Sequence, residues 1–221
     1  MVYSMQSIGG KSVAGIYDQP QDQRDAGIPP NWLTYITVDD IEATAAKVAG
    51  AGGAVAAPPF DVMDAGRMSV ISDPYGGVVA LWQPGQAIGS ELTQENGTFS
   101  WTELISTDPE SAEKFLVDVL GVEFVDMPNA PGGYKLMMVN GAPGGGLMAR
   151  PDEMGDVPSH WMNYFQVGNA DEVASNAADL GGKVLMAPFD SGGPGRIAVL
   201  QDPQGATFSI IQPNPDFDPF E

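Results

Sequence analysis

One segment of this chain is written twice. Trp32-Leu33-Thr34-Tyr35-Ile36-Thr37-Val38 matches Trp161-Met162-Asn163-Tyr164-Phe165-Gln166-Val167. The same spacing carries Gly52-Gly53 onto Gly181-Gly182, Pro59-Phe60-Asp61 onto Pro188-Phe189-Asp190, and Gly66-Arg67 onto Gly195-Arg196. It also carries Asp73-Pro74-Tyr75-Gly76 onto Asp202-Pro203-Gln204-Gly205, and Gln83-Pro84 onto Gln212-Pro213. Such a gap-free series marks a duplicated supersecondary unit and restricts the fold to one that pairs or stacks its copies. Upstream, Tyr3 to Ile16 resembles Tyr134 to Leu147 at a spacing two residues longer. The chain therefore reads as two related halves, 1–90 and 98–214, followed by an acidic tail, 215–221.

Each unit reads as strand, helix, then three strands. Residues 161–167 alternate and are rich in aromatics, which suits a strand. Asn169 is a plausible N-cap, and Ala170, Val173, Ala174 and Ala177 make one helical stripe. Gly181-Gly182 should end that helix with positive φ. Strands are expected near 183–188, 195–201 and 206–212, the last two joined by an Asp-Pro-x-Gly turn. The copy from Trp32 carries the stripe Ile41, Ala45, Val48, Ala49. Residues 98–150 form a third unit, with Pro109 at the first helical position and the stripe Ala112, Phe115, Leu116, Val119, Leu120. Residues 1–30 hold only the last two strands of a fourth. The fold class is α+β, with paired βαβββ modules in two tandem domains, the first module lacking its first strand and helix. That loss exposes sheet edge and core, a liability that proteins manage. A homodimer, or completion of the N-terminal domain by a missing segment, is the expected remedy.

Composition sharpens the class. Nine Lys plus Arg against 29 Asp plus Glu give a net charge of −20, while only 17% of residues are charged. Nucleic-acid affinity comes mainly from basic residues releasing counterions, so nucleic acid is excluded as a partner; anionic membrane surfaces are disfavoured for the same reason. There is no Cys, hence no disulfide, thiolate metal site or Cys nucleophile. Met1-Val2-Tyr3-Ser4 has neither a basic n-region nor an apolar core, and no apolar run approaches the roughly 18 residues of a membrane span. A cytoplasmic protein is expected.

The paired βαβββ unit, with Gly-Arg and Asp-Pro-x-Gly before its last strand, resembles the vicinal-oxygen-chelate superfamily of glyoxalase I, bleomycin-resistance proteins, fosfomycin-resistance enzymes and extradiol dioxygenases. Trp101-x-Glu103-Leu104 and the run 65–74 (Ala-Gly-Arg-Met-Ser-Val-Ile-Ser-Asp-Pro) are similar to a tandem actinobacterial branch with glyoxalase-like and hydroxylase names. The resemblance implies glyoxalase-like open barrels, each an eight-stranded cup, with a divalent metal held by the first and last strands of the units. Carried onto this chain, those ligand places are Trp101, Leu33, Met162, Ala80 and Ser209. None of them binds a hard or borderline divalent ion, so neither metal nor other cofactor is expected.

The remaining candidates each have two readings. Glu103 shares a strand face with Trp101 and Ile105; among Trp101, Tyr164 and Met162 its pKa should rise, suiting a general base, or it bonds a neighbouring group for structural reasons. His160, the only His, shares parity with Met162 and Tyr164 and is either an acid/base assistant beside Tyr164 or a partly exposed residue at a strand start. Tyr35 and Tyr164 recur at cup parity, where they either orient a ligand or pack. Trp101, Tyr134, Met137, Met162 and Ser209, with Leu33, Tyr35 and Trp82 in the first half, are the expected ligand-lining set, methionines being adaptable apolar lining or core filling. Arg67 and Arg196 suit an ion pair with Asp73 or Asp202 rather than anion binding. Pro131-Gly132-Gly133, Gly144-Gly145-Gly146 and 191–195 read as turns and rim loops, not phosphate loops. Three functions remain open: a metal-independent binder of a small, largely apolar or aromatic molecule, a cofactor-free enzyme using Glu103 as base (isomerase, lyase or hydroxylase-like oxygenase), and a scaffold that has lost its ancestral activity.

Overall fold

The computed structural model describes residues 3–128, 130 and 132–220. Met1, Val2, Pro131 and Glu221, which enter the sequence reading, lie outside the described residues. The N-terminal half begins with a hairpin, β1 (Tyr3–Ile8) and β2 (Lys11–Tyr17), and a one-turn helix α1 (Gln21–Asp25) that the repeat does not foretell. Then follow β3 (Tyr35–Thr37), α2 (Ile41–Val48), β4 (Ala54–Val62), β5 (Gly66–Ser72) and β6 (Val78–Pro84). The C-terminal half runs β7 (Phe99–Ser106), α3 (Pro109–Leu120), β8 (Glu123–Asp126), β9 (Lys135–Val139) and β10 (Ala142–Ala149). It continues, after a short 3-10 turn at Asp152–Met154, with β11 (His160–Gln166), α4 (Ala170–Asp179), β12 (Lys183–Asp190), β13 (Gly195–Gln201) and β14 (Thr207–Pro213).

The C-terminal half forms one eight-stranded sheet, in the order β12-β13-β14-β11-β7-β10-β9-β8. Two βαβββ units meet in it where β11 pairs antiparallel with β7. The N-terminal half yields instead a four-stranded sheet, β3-β6-β5-β4, and a separate two-stranded sheet, β1-β2. The eight-stranded cup expected of each domain is therefore present only in the second. The strand that would join β3 to β2 is lacking among the described residues.

Helix ends follow local chemistry. Asp40, Asp108 and Asn169 accept hydrogen bonds from the backbone amides of Ala43, Ser111 and Glu172, caps that contribute about 1 kcal/mol each. Ala49 is exposed at the end of α2, and Thr44 is the additional buried residue instead. Of the two glycines after α4, only Gly181 takes positive φ, at 86°. The apolar stripes of α2 and α3 meet in a single core spanning both halves: Ile41, Val48, Ile71 and Leu81 from the first, Leu104, Phe115, Leu116 and Trp161 from the second. Each such side chain stabilises by roughly 1.5–3 kcal/mol. Helix α4 packs on its own sheet through Ala170 and Ala174, with Ala198, Leu200 and Ile210 beneath.

The repeated arginines pair with acids other than those the sequence suggests. Arg67 binds Glu42 (2.7 Å) and Asp61 (2.9 Å), and Arg196 binds Asp171 (2.7 Å) and Asp190 (3.2 Å). Cross-strand register explains this, since Arg67 lies opposite Asp61 and Arg196 opposite Asp190. Asp73 and Asp202 spend Oδ1 on turn amides: Tyr75 and Gly77 for one, Gln204, Gly205 and Ala206 for the other. In the acidic tail, the Phe217 ring covers Gly193.

Candidate functional site

Strand register decides which side chains face the cup. Opposite Trp101 lies Tyr164, opposite Glu103 lies Met162, and opposite Tyr164 on its other side lies Ser209. Because strand side chains alternate, Leu104 and Trp161 point into the core shared with the helices and Thr102 meets Thr34 of the first half, while Trp101, Glu103, Met162, Tyr164 and Ser209 share the opposite face. Glu103 is the hub of that face. It is only 6% exposed and its Oε1 accepts a 2.6 Å hydrogen bond from the Tyr164 hydroxyl. The Tyr134 hydroxyl lies close enough to the carboxyl to lower its pKa and accepts a 2.8 Å bond from Trp101 Nε1.

Burial pushes the Glu103 carboxyl above its usual pKa, against the two phenol hydrogen bonds, which pull it down. Tyr134 and Tyr164 are both raised, first by burial and then by the charge of Glu103 beside them. Ser209 Oγ is buried beside the Tyr164 hydroxyl without completing a hydrogen bond. One glycine makes the arrangement possible: a Cβ at Gly146 would sit 1.8 Å from the Tyr134 hydroxyl oxygen.

Other candidates land elsewhere. Met137 is 2% exposed and packs in the helix-side core, so it does not line the cup; one residue of strand parity separates it from Leu136, which pairs with Gly146. Met162 is buried on the cup face. His160 pairs with Ile105, near the strand end, and its Nδ1 lies 2.8 Å from the Pro158 carbonyl. In the first half, Tyr35 and Trp82 meet edge to face with centroids 6.2 Å apart. The Trp82 indole donates to the Ala87 carbonyl, and Leu33 lies half-buried beside β3. Tyr35 is pushed up to about 12 by burial and by the neighbouring Tyr17 and Tyr3 phenols. Sequence reasoning missed Tyr3, Tyr17 and the two glycines under the tyrosines. The signal was present, because the Tyr3–Ile16 and Tyr134–Leu147 match already contains a Tyr and a Gly in both copies.

The donor set does not suit a divalent ion. Glu103 is surrounded by Trp, Tyr, Met and Ser, and among the described residues no group of three or more His, Asp or Glu could hold a metal. Two clefts lie away from this face, one of about 340 Å³ at Gly192, Arg196 and Asn214, and one of about 400 Å³ between Gly52, Tyr75 and Lys114. No described helix is long and apolar enough to cross a membrane.

Two βαβββ units joined into one sheet, with helices outside and Glu103, Trp101 and Tyr164 on the inner face, define a paired-module cup protein. The sequence profile of the Glyoxalase/Bleomycin resistance protein/Dioxygenase superfamily matches residues 2–81 and 98–210, and the chain belongs to that superfamily. The Mycobacterium tuberculosis (strain CDC 1551 / Oshkosh) protein named "Putative glyoxylase CFP32" is 45% identical over 215 residues, covering 97% of this chain and 81% of that protein. The anthracycline biosynthesis protein DnrV of Streptomyces peucetius is 33% identical over 222 residues, covering 95% of this chain and 79% of its own. The Mn(II)-bound glyoxalase of Novosphingobium aromaticivorans superimposes with TM-score 0.56 at 19% identity, over 85% of this chain and 65% of that one. The 2,2',3-trihydroxybiphenyl 1,2-dioxygenase of Sphingomonas wittichii strain RW1 does so at 0.57 and 18%, over 88% and 76%. At such identities the structural likeness speaks for the fold alone.

Proposed function

We propose that the C-terminal cup binds a small, largely aromatic molecule without a metal ion. The observation that carries this reading is the chemistry of the inner face: Trp101, Tyr134, Tyr164 and Met162 around one buried carboxylate, with no ligand set for a metal among the described residues. An apolar concave surface with a few placed polar groups is the usual form of a small-molecule site. The net charge of −20 favours neutral or cationic ligands over anions. The names of relatives concerned with anthracycline biosynthesis support an aromatic ligand. Because Glu103 is buried under two phenols, a ligand reaches it only when Tyr134 or Tyr164 gives way. Ser209 Oγ is then available as a further donor.

The test is titration of the purified protein with anthraquinone and 2-aminoanthraquinone, read by quenching of Trp fluorescence. Saturable quenching, undiminished by EDTA and lost in Trp101→Ala, is expected. A stoichiometric bound metal whose removal abolishes binding would overturn the reading.

The raised pKa of Glu103 favours a second reading, in which it is the general base of a cofactor-free isomerase, lyase or oxygenase. Glu103→Gln separates the two. A binder keeps its affinity within a few fold, whereas an enzyme loses turnover by a factor of about 10²–10⁴.

A further inference from the structure

Residues 32–34 of the first half grip the back of the strand pair whose front is the cup. Thr34 Oγ1 donates to Asn163 Oδ1 at 3.0 Å and lies 3.2 Å from Thr102 Oγ1. Asn163 Nδ2 donates in turn to the Trp32 carbonyl at 3.0 Å. Thr34, Thr102 and Asn163 are 6%, 4% and 5% exposed, so this polar cluster is sealed from water. The Trp32 ring stands edge-on to Phe165 with centroids 4.8 Å apart. Among the described residues its Nε1 is buried without a hydrogen-bond partner, so packing on Phe165 holds the ring there despite an unmade bond. The duplication carries Thr34 onto Asn163, so two copies of one strand meet through equivalent positions.

This grip falls beside an irregularity in the sheet. Strands β7 and β11 pair Glu103 with Met162, Thr102 with Asn163 and Trp101 with Tyr164, then skip Ser100 and resume with Phe99 opposite Phe165. Beyond that point Gln166 N bonds the Thr98 carbonyl at 2.9 Å and Gly97 N the Gln166 carbonyl at 2.8 Å. Ser100 is thus the extra residue of a β-bulge, a device that re-aims side chains. If the strands ran on from Phe99 without it, Trp101 would stand opposite Asn163 and Glu103 opposite Trp161, on the core side. The bulge is what turns Trp101 and Glu103 into the cup, and its place has to be held. The next rung inward from Trp101 is Asn163–Thr102, the one that Thr34 grips. An extra residue that moved past this rung would bring an indole to where Thr34 and Asn163 now find a hydroxyl.

We infer that Trp32 and Thr34 are positioning residues for the cup, a role that rests on the cup being the binding face: they hold the bulge at Ser100 and so keep Trp101, Glu103 and Tyr164 in register. They act through Asn163 and Phe165, which flank Tyr164 on β11 and point to the opposite side of the sheet. The first half then serves as a brace for the second, a use that needs no ligand site of its own.

The test is Thr34→Val, which keeps the shape and removes the hydroxyl, read by the Trp101 indole N–H resonance in a nitrogen–proton correlation spectrum. That proton reports register because it bonds the Tyr134 hydroxyl, and Trp101→Ala identifies it by its absence. A single resonance is expected in the parent protein. Loss of the Thr34 bond should shift the register equilibrium about fivefold or more, so Thr34→Val should split or move the resonance. Thr34→Ser, which returns the hydroxyl, should restore it. Affinity for anthraquinone should fall in proportion to the fraction of molecules left in register, an even split doubling Kd. If Thr34→Val does not fold, Thr34→Cys, a weak donor of similar size, should show the same change in lesser degree. A lower melting temperature with the resonance unmoved and the affinity unchanged makes Thr34 a stabiliser only and overturns the proposal. The resonance needs no ligand, which keeps the two readings apart. If it splits in a protein that binds no anthraquinone, the binding reading fails and the register clamp stands; if anthraquinone binds and the resonance stays single and in place, the clamp fails and the binding reading stands.

Discussion

The two halves carry the same pair of phenols over the same glycine and put them to different uses. In the second, Tyr134 and Tyr164 are half-buried and gather at Glu103, to which Tyr164 donates. In the first, Tyr3 stacks on Tyr17 with centroids 6.0 Å apart, and Tyr35 turns its hydroxyl to Met68 Sδ at 3.5 Å. The aromatic side chains are therefore not what closes the cup. A single acidic residue on a central strand gathers them, and where that strand is lacking they remain on an open surface. The same contrast runs through the layers behind: α3 presents Phe115, Leu116 and Val119 to a partner helix, while α4 presents alanines to none.

The largest expected effect comes from disturbing the approach under the closed pair. Gly146→Ala places a methyl where the Tyr134 hydroxyl lies, so the ring must leave the Trp101 indole and its place beside Glu103. Loss of those bonds together with overpacking should cost about 2–4 kcal/mol in urea unfolding. Gly15→Ala makes the same clash with Tyr3, but Tyr3 is mostly exposed and free to swing out, and the cost should stay below about 1 kcal/mol. Equal losses at the two glycines would show that Tyr3 is held as tightly as Tyr134 and would erase the contrast.

Next in size is removal of a donor to the buried acid. Tyr164→Phe takes away the 2.6 Å bond to Glu103 and should cost about 1–3 kcal/mol, because it strands a buried carboxyl. Tyr35→Phe removes only a weak bond to sulfur and should be near neutral. The acid itself gives a pH signature. Since burial raises the pKa of Glu103 in the folded protein, the unfolded chain ionises first as pH climbs above the ordinary carboxylate range. The folded state then holds the extra proton, and stability falls with rising pH by up to about 1.4 kcal/mol per unit until the folded group also ionises. Glu103→Gln has no proton to lose there. Measured against wild type, its relative stability should increase as the pH rises above the ordinary carboxylate range, with the other 28 acids cancelling in the difference. A gap that stays constant would mean that Glu103 titrates normally.

Much of this was legible from the repeat. Helix stripes such as Ala112, Phe115, Leu116 and Val119 and the cap Asn169 depend on neighbours within a turn, so spacing alone places them. Strand parity likewise put Trp101, Glu103, Met162 and Tyr164 on one face. Contacts set by register across strands were harder. Nearness in sequence points Arg67 to Asp73, whereas the β4–β5 pairing sets it against Asp61. Sequence alone suggests Met137 as lining because parity within β9 is not fixed until its pairing with β10, where the register shifts between Pro143 and Gly145. The Gly under each tyrosine was visible as a match, but its purpose is a tertiary approach that no local pattern encodes.

The smallest effect tests whether the halves differ away from the cup. Arg196 holds Asp171 through two nitrogens, Nε and Nη2, and Asp190 through Nη1, whereas Arg67 gives one nitrogen to Glu42 and one to Asp61. A planar guanidinium matched to both oxygens of a carboxylate holds its geometry better than two single contacts. Both sites are open to water, so Arg196→Met should lower the melting temperature slightly and Arg67→Met less still. In molar salt, where the screening length falls to about 3 Å, the two variants should become indistinguishable from each other. A salt-independent loss at either position would mean that the aliphatic stem of the arginine, and not its charge, is what secures the edge of the sheet to the first turn of the helix.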